Sequence, residues 1–188
     1  MEYRNVLNIA SRAEFREWLS LHSQSEKECY VCAVRGRPVN DGCLWYLDAV
    51  EEALCFGWID STVRVIDGRR MQRFSPRRDK SNWTELNKER VRRLERLGLM
   101  TDAGRAVLPP MNDFTIDGET ESALREAGVW TEFTSFPQLY QRVRVYNLQF
   151  YRKRYPKSYE GVLEHLIEET KKGKMFGNWN DYGRLLEE

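Results

Sequence analysis

An α+β fold is what this chain of 188 residues predicts: a small antiparallel β-sheet containing a hairpin, packed by helices and followed by a helical C-terminal region. Three observations carry that expectation. Asp67-Gly68, the dipeptide favoured by two-residue hairpin turns, is flanked by candidate strands over 58–66 and 69–75. A third run, from Glu28 to Arg35, also reads as a strand. Most of the remaining chain repeats its apolar residues at helical spacing, punctuated by caps, glycines and prolines. The expected division is an α+β core over 1–108 and a helical extension over 109–188 packed on it.

Taken in order, Ser11 with Glu14 three residues later predicts a capping box, and Phe15, Trp18, Leu19 and His22 then share one helical face. His22 closes that helix on its apolar side, a position for a hydrogen-bonded core histidine or a functional one. Residues 35–42 read as a loop. The next helix is expected from about Leu44 to Phe56, with Tyr46, Leu47, Val50, Ala53 and Leu54 on one side, Asp48, Glu51 and Glu52 on the other, and Gly57 as its stop.

Pro76 stops the second hairpin strand, and a helix is expected over about Asn82 to Leu97, ended by Gly98. Its apolar stripe is Trp83, Leu86, Val91, Leu94 and Leu97. Asn87 and Arg90 fall inside the stripe, while Lys88, Arg92 and Arg96 point away. An inward arginine needs an acidic or carbonyl partner or a cavity; Asp60 and Asp67 are the acidic candidates.

Thr101 begins a short helix that Pro109-Pro110 terminates, residues 111–118 form a linker, and 119–127 a brief helix. Leu139, Val143, Tyr146 and Phe150 mark a longer helix. Val162, Leu163, Leu166, Ile167 and Thr170 mark the last, with His165 on its solvent side and Gly173 closing it. The aromatic end, residues 177–184, is expected to dock back onto the body.

Charge is distributed unevenly. Net charge is +1, yet residues 64–96 carry 12 basic and 5 acidic side chains. Such a block suits an anionic partner, or a solvated face paired with acidic flanks. No apolar run is long enough to cross a bilayer. The stretch Met1-Glu2-Tyr3-Arg4-Asn5-Val6 has no signal-peptide core, so a cytoplasmic location with free thiols is expected. Cys29 and Cys32 have the spacing of half a zinc knuckle, but a strand turns them to opposite faces. All four cysteines, with Cys43 and Cys55, are therefore read as small buried hydrophobes, and neither a metal nor a cofactor is expected.

The candidate site joins Trp58, Asp60, Arg73, Ser75, Arg77, Trp83, Asn87 and Arg90. The hairpin should bring 58–60 opposite 73–77, so that Trp58, Asp60, Arg73, Ser75, Arg77 and Arg90 converge on one pocket. Arginine forks match carboxylate and phosphate geometry, and indole faces stack on rings or cations. Structural readings stand beside these. Trp58 and Trp83 could be core, Asp60 a cap or ion-pair partner, and Ser81 the N-cap of the following helix. Arg77, Arg78 and Lys80 could be solvated loop charges.

The succession Glu51-Glu52-Ala53-Leu54-Cys55-Phe56-Gly57-Trp58-Ile59-Asp60, Arg73-Phe74-Ser75-Pro76-Arg77-Arg78, Ser81-Asn82-Trp83, Leu86-Asn87-Lys88-Glu89-Arg90 and Gly98-Leu99-Met100-Thr101 resembles the YdeI/OmpD-associated family, also called the bacteriocin-protection (OmdA-like) family. The likeness is densest over about 13–108. It implies a bacterial cytoplasmic α+β protein tied to stress resistance against antimicrobial peptides or bacteriocins, and association with an outer-membrane porin. Some relatives carry a thymidylate synthase label, but no Pro-Cys-His nucleophile segment occurs here.

Three functions follow as expectations. A non-catalytic binding protein would hold a small anionic ligand or a partner's acidic segment. A nucleic-acid binder would run the 64–96 block along phosphates while Trp58, Phe74 or Trp83 stack on bases. An enzyme would use Asp60 as base, Ser75 or Ser81 as a hydroxyl contact and Arg73 or Arg77 as an anion clamp, although no established catalytic motif is present.

Overall fold

The computed structural model describes residues 3–79 and 81–186. Lys80, expected as a solvated loop charge, and the first two residues of the N-terminal stretch lie outside that range. The chain divides into two compact units, Met1–Asn82 with Arg90–Pro109 and Trp83–Glu89 with Pro110–Glu188. Residues 83–89, read from sequence as part of the core, thus group with the helical unit.

In the first unit, helix α1 (Arg12–His22) starts at Ser11, whose Oγ accepts the Glu14 amide at 3.3 Å. The Glu14 carboxylate returns to the Ala10 amide at 2.7 Å, one residue before the usual reciprocal partner. His22 is half-buried with its ring 5.1 Å from that of Trp18, a packing position. Strand β1 (Cys29–Val31) is shorter than the 28–35 run predicted. Pairing leaves the sheet after Val31: the Val34 amide bonds Leu44 O, and the Tyr46 amide bonds Val34 O.

Helix α2 (Tyr46–Cys55) is buried on both its faces. Ala49, Ala53 and Leu54 enter the core, and the opposite acidic set is buried too, Glu51 completely. A buried carboxylate requires a counter-ion, and Arg12 supplies one to three of them: Asp48 at 3.0 Å, Glu51 at 2.9 Å and Glu52 at 2.6 Å. Arg16 adds a second bond to Glu52 at 2.7 Å, and Arg93 reaches Glu51 at 3.1 Å. Burial alone would lower the Arg12 pKa, but the carboxylates hold it above its ordinary value.

Strands β2 (Trp58–Ile66) and β3 (Arg69–Pro76) form the predicted hairpin. Asp67 and Gly68 have φ of 49° and 74°, the double left-handed conformation of a type I′ turn. The sheet order is β1-β3-β2, with both pairings antiparallel and β3 central. Trp58 lies opposite Pro76 and Asp60 opposite Phe74. A bulge then intervenes before Val63 pairs with Gln72.

Helix α3 (Glu85–Arg96) begins later than predicted because Thr84, not Ser81, is its cap: Thr84 Oγ1 accepts the Asn87 amide at 3.0 Å. Leu97, assigned to the apolar stripe, is 51 % exposed, since it lies past the last helical turn before Gly98 at φ 66°. Lys88, expected to point outward, is buried within the second unit between Glu85 at 3.0 Å and Asp113 at 2.5 Å. Helix α4 (Asp102–Arg105) is capped by Thr101 and crosses the end of α2 at Gly104. A Cβ there would lie 2.2 Å from Cys55 O, so only glycine fits.

The second unit contains helices α5 (Gly118–Glu126), α6 (Trp130–Ser135), α7 (Gln138–Arg154) and α8 (Pro156–Lys171), then a 3-10 turn at Arg184–Leu186. Leu124, Phe133, Tyr140, Leu148 and Leu166 centre its core. Trp179 and Leu185 insert from the aromatic end, which docks as its composition predicts. Helix α6 went unpredicted because six residues are too few to establish a period. Phe150, placed on the α7 stripe, is instead exposed beside Tyr146.

Asp117 caps α5 by accepting from the Thr120 amide at 3.1 Å, and it also accepts from Gln149 and Arg152, each at 2.9 Å. Burial would raise its pKa, but bonds from Gln149, Thr120 and Arg152 hold it well below the usual carboxylate range. A depressed carboxylate stabilises the fold above its unfolded pKa of about 4, and that contribution is lost as pH falls through the lower folded value. Asp117→Asn is expected to destabilise by about 1 kcal/mol at pH 7, a modest figure because the group is part-exposed. Urea unfolding at pH 7 and pH 2.5 checks this: the gap between the variant and the parent should narrow in acid.

Candidate functional site

The pleat decides which predicted site residues meet. Side chains opposite one another in a sheet share a face, and neighbours along a strand alternate. Trp58 and Asp60 therefore lie on the face of Phe74, while Arg73 and Ser75 lie on the other, opposite Tyr30 and Ile59. The hairpin does bring 58–60 beside 73–77, but the expected single pocket does not form, because pairing of backbones is not convergence of side chains.

Each residue has its own surroundings. Trp58 is 1 % exposed, donates Nε1–H to Ser23 O at 3.1 Å and meets Trp18 edge-on, so it is core. Asp60 accepts the Tyr46 hydroxyl at 2.6 Å. Arg73 donates to Glu28 at 2.7 Å and Ser61 at 3.1 Å, and the bond to Glu28 is the main cause of its raised pKa. Ser75 is half-buried.

Arg77 is buried, not the solvated loop charge it could have been. Its Nη1 donates to Ser81 Oγ at 3.4 Å and Asn82 O at 3.3 Å, so Ser81 serves this arginine instead of a helix. Burial pushes the Arg77 pKa down to about 10, against the pull of Asp60. Arg90 is half-buried in the first unit. Trp83 and Asn87 are buried and belong to the second unit. There Trp83 lines a polar cleft of about 240 Å³ with Glu85, Lys88, Phe114 and Gln149.

The first unit holds a different cationic cleft, of about 330 Å³, lined by Cys32, Arg35, Val63, Arg69, Arg70 and Gln72. Its floor is Gln72, which is 4 % exposed. Gln72 Nε2 donates to Ser61 O at 3.1 Å, a carbonyl at the β2 bulge. With the amide so anchored, Oε1 accepts Arg35 Nη2–H at 2.6 Å. The Arg35 guanidinium lies 3.7 Å from the centre of the Tyr46 ring, and the Tyr46 hydroxyl donates to Asp60. Burial and the Asp60 charge push the Tyr46 pKa up to about 12. Arg69 and Arg70 stand beside this network at the hairpin end of β3. Among the described residues, no carboxylate pairs with Arg35, Arg69 or Arg70.

A family model described as a domain of unknown function (DUF8412) matches residues 7–107, more than half of the chain. The chain belongs to that family. The DUF8412 match spans every residue that lines the cationic cleft. No curated protein and no solved structure matches the chain.

Sequence reasoning missed Arg35 and Gln72 as site residues. Arg35-Gly36-Arg37, a basic and flexible loop directly after a strand, was the available signal for the first. The Gln72 role depends on a bulge that leaves no clear mark in sequence. Among the described residues no group of three or more His, Cys, Asp or Glu side chains could hold a metal ion. Cys29 and Cys55 are buried thiols whose pKa values burial raises, that of Cys55 to about 12. Cys43 is exposed, contrary to its reading as a buried hydrophobe, because it precedes α2 in the loop.

Gln72→Leu removes both the donor to the bulge and the acceptor for Arg35. Losing both hydrogen bonds of this buried side chain is expected to cost about 1–3 kcal/mol. Chemical denaturation of the purified variant measures it, and an unchanged midpoint would show that the bulge is satisfied without Gln72.

Proposed function

We propose that the DUF8412 unit is a non-catalytic binding module that holds a small anion, carboxylate or phosphate, in the cleft between Arg35, Arg69 and Arg70. One contrast carries the reading. Arg12, Arg16, Arg73, Arg93 and Arg105 each ion-pair with a carboxylate of the same unit. Arg35, Arg69 and Arg70 do not, and they line one cleft together. Cations gathered without counter-ions repel one another, and an anion bound among them removes that cost.

Arg35 is also pre-organised. Its ring contact and its bond to Gln72 fix the guanidinium before a ligand arrives, which lowers the entropy lost on binding. The cleft volume of about 330 Å³ suits a small molecule, and Val63 and Cys32 offer it some apolar contact. An acidic side chain of a partner protein presents the same chemistry. A role in bacterial stress resistance rests on the resemblance to the YdeI/OmpD-associated family, and the free buried thiols fit a reducing, cytoplasmic setting. No helix among the described residues is long and apolar enough to cross a membrane.

Nucleic-acid binding is the second reading, favoured by the exposed Arg64, Arg69 and Arg70 on the hairpin. Calorimetric titration with pyrophosphate, citrate and a single-stranded oligonucleotide separates the two. The expected result is saturable binding of a small anion, weakened roughly tenfold or more in an Arg69→Ala/Arg70→Ala variant. Preferential oligonucleotide binding that collapses steeply with added salt would overturn the small-anion reading in favour of a phosphate-backbone surface.

A further inference from the structure

We infer that the second unit carries a separate binding site for a small monocarboxylic acid with an apolar or aromatic body, in the cleft between α7 and α8, with Arg144 receiving the carboxylate. The cleft measures about 310 Å³, and its walls include Arg144, Tyr151, Gly161, His165, Leu166 and Phe176. It lies outside the DUF8412 match.

Arg144 is the first observation. It is half-buried, and its guanidinium lies 4.0 Å from the Phe176 ring centre and 5.0 Å from that of Tyr140. Nη2 donates to Phe176 O, but Nε is buried without a hydrogen bond and Nη1 makes none. The Tyr140 hydroxyl beside it makes no hydrogen bond of normal geometry, and its interaction with the guanidinium offsets only part of the burial. Among the described residues no carboxylate pairs with this cation. The nearby Glu169 is engaged by Lys172 at 2.7 Å. Burial pushes the Arg144 pKa below its ordinary value, the mark of a charge whose lost hydration is incompletely replaced. Buried arginines are ordinarily paired, and π faces alone provide only part of that compensation. A ligand carboxylate would supply the rest.

Gly161 is the second, independent observation. It sits inside α8, where glycine is less favourable than alanine by about 1 kcal/mol. No crowding requires it, because a Cβ built there would meet nothing within 4 Å. A larger side chain at this position would project into the cleft. The small residue thus keeps the space open. Leu166 forms an apolar wall and Phe176 a ring wall, with the His165 ring tilted against Phe176 at a centroid distance of 4.4 Å. One fixed cation, rings and aliphatic groups together match an amphipathic monoanion better than a bare inorganic one.

Titration calorimetry with benzoate and octanoate tests the site, with benzamide as the uncharged comparison and inorganic phosphate as the anion without an apolar body. Saturable carboxylate binding is expected, roughly tenfold or more tighter than benzamide or phosphate. Arg144→Gln and Gly161→Leu should each weaken it roughly tenfold, while Arg69→Ala/Arg70→Ala leaves it unchanged, which separates this site from the cationic cleft of the first unit. Circular dichroism establishes that the variants fold, and the benzoate–benzamide contrast on the parent chain needs no variant. Equal binding of benzoate and benzamide, parent-like affinity in folded Gly161→Leu, loss of binding in Arg69→Ala/Arg70→Ala, or no saturable binding at millimolar ligand would each overturn the inference.

Discussion

The central strand β3 governs what the first unit can do, because its pleat sorts a run of basic and apolar residues onto two faces. Phe74 turns inward against Phe15 of α1, with rings 5.3 Å apart. That contact, with a fully buried Phe74, sets the parity of the whole strand. Gln72 and Arg70 must then share the face of Phe74, and Arg73 must take the other. Sliding the register by one residue would turn Arg73 toward Phe15 and take Phe74 off that ring, so the core fixes the face each guanidinium takes. The bulge at Ser61 and Thr62 is the one local departure, and Gln72 answers it by hydrogen-bonding a bulge carbonyl. The cleft is therefore a by-product of sheet packing as much as of its own residues.

Arginine has two different occupations in this unit. On α1 and α3 it neutralises the buried acids of α2, and removing Arg12 would leave three carboxylates short of a partner. Breaking such buried pairs generally costs about 3–5 kcal/mol, which makes those arginines structural whatever their exposure. On the hairpin, by contrast, Arg69 and Arg70 have no such duty. The +7 excess over 64–96 visible in the sequence is thus a mixture: Arg93 belongs to the fold, Arg73 is tied to Glu28, and only part of the block remains available to an outside anion.

Much of the fold was legible because its signals are local. Asp67-Gly68 specified the turn, Ser11 and Thr101 specified helix starts, and Gly98 specified a stop. The misreadings came where non-local contacts decided. Thr84 caps the helix while the Ser81 hydroxyl meets Arg77 instead, a pairing no spacing rule anticipates. Lys88 reads as a surface residue until Asp113, far along the chain, is placed beside it. The candidate site failed for a different reason. It treated opposition across a hairpin as convergence, whereas Trp58 and Asp60 occupy the opposite parity to Arg73 and Ser75. Asp60 is linked to the cleft only indirectly, through Tyr46 and Arg35.

The composition of the cationic cleft also bears on what kind of chemistry it supports. Beside the cleft, the Tyr46 hydroxyl is held near 12 by burial and by Asp60. A general acid or base works best with a pKa near the operating pH, which the Tyr46 hydroxyl does not have. Asp60 is the nearest carboxylate of the network, but the Tyr46 hydroxyl bonds it at 2.6 Å, and the Tyr46 ring in turn carries Arg35. Its evident role is to orient the ring, which orients the guanidinium.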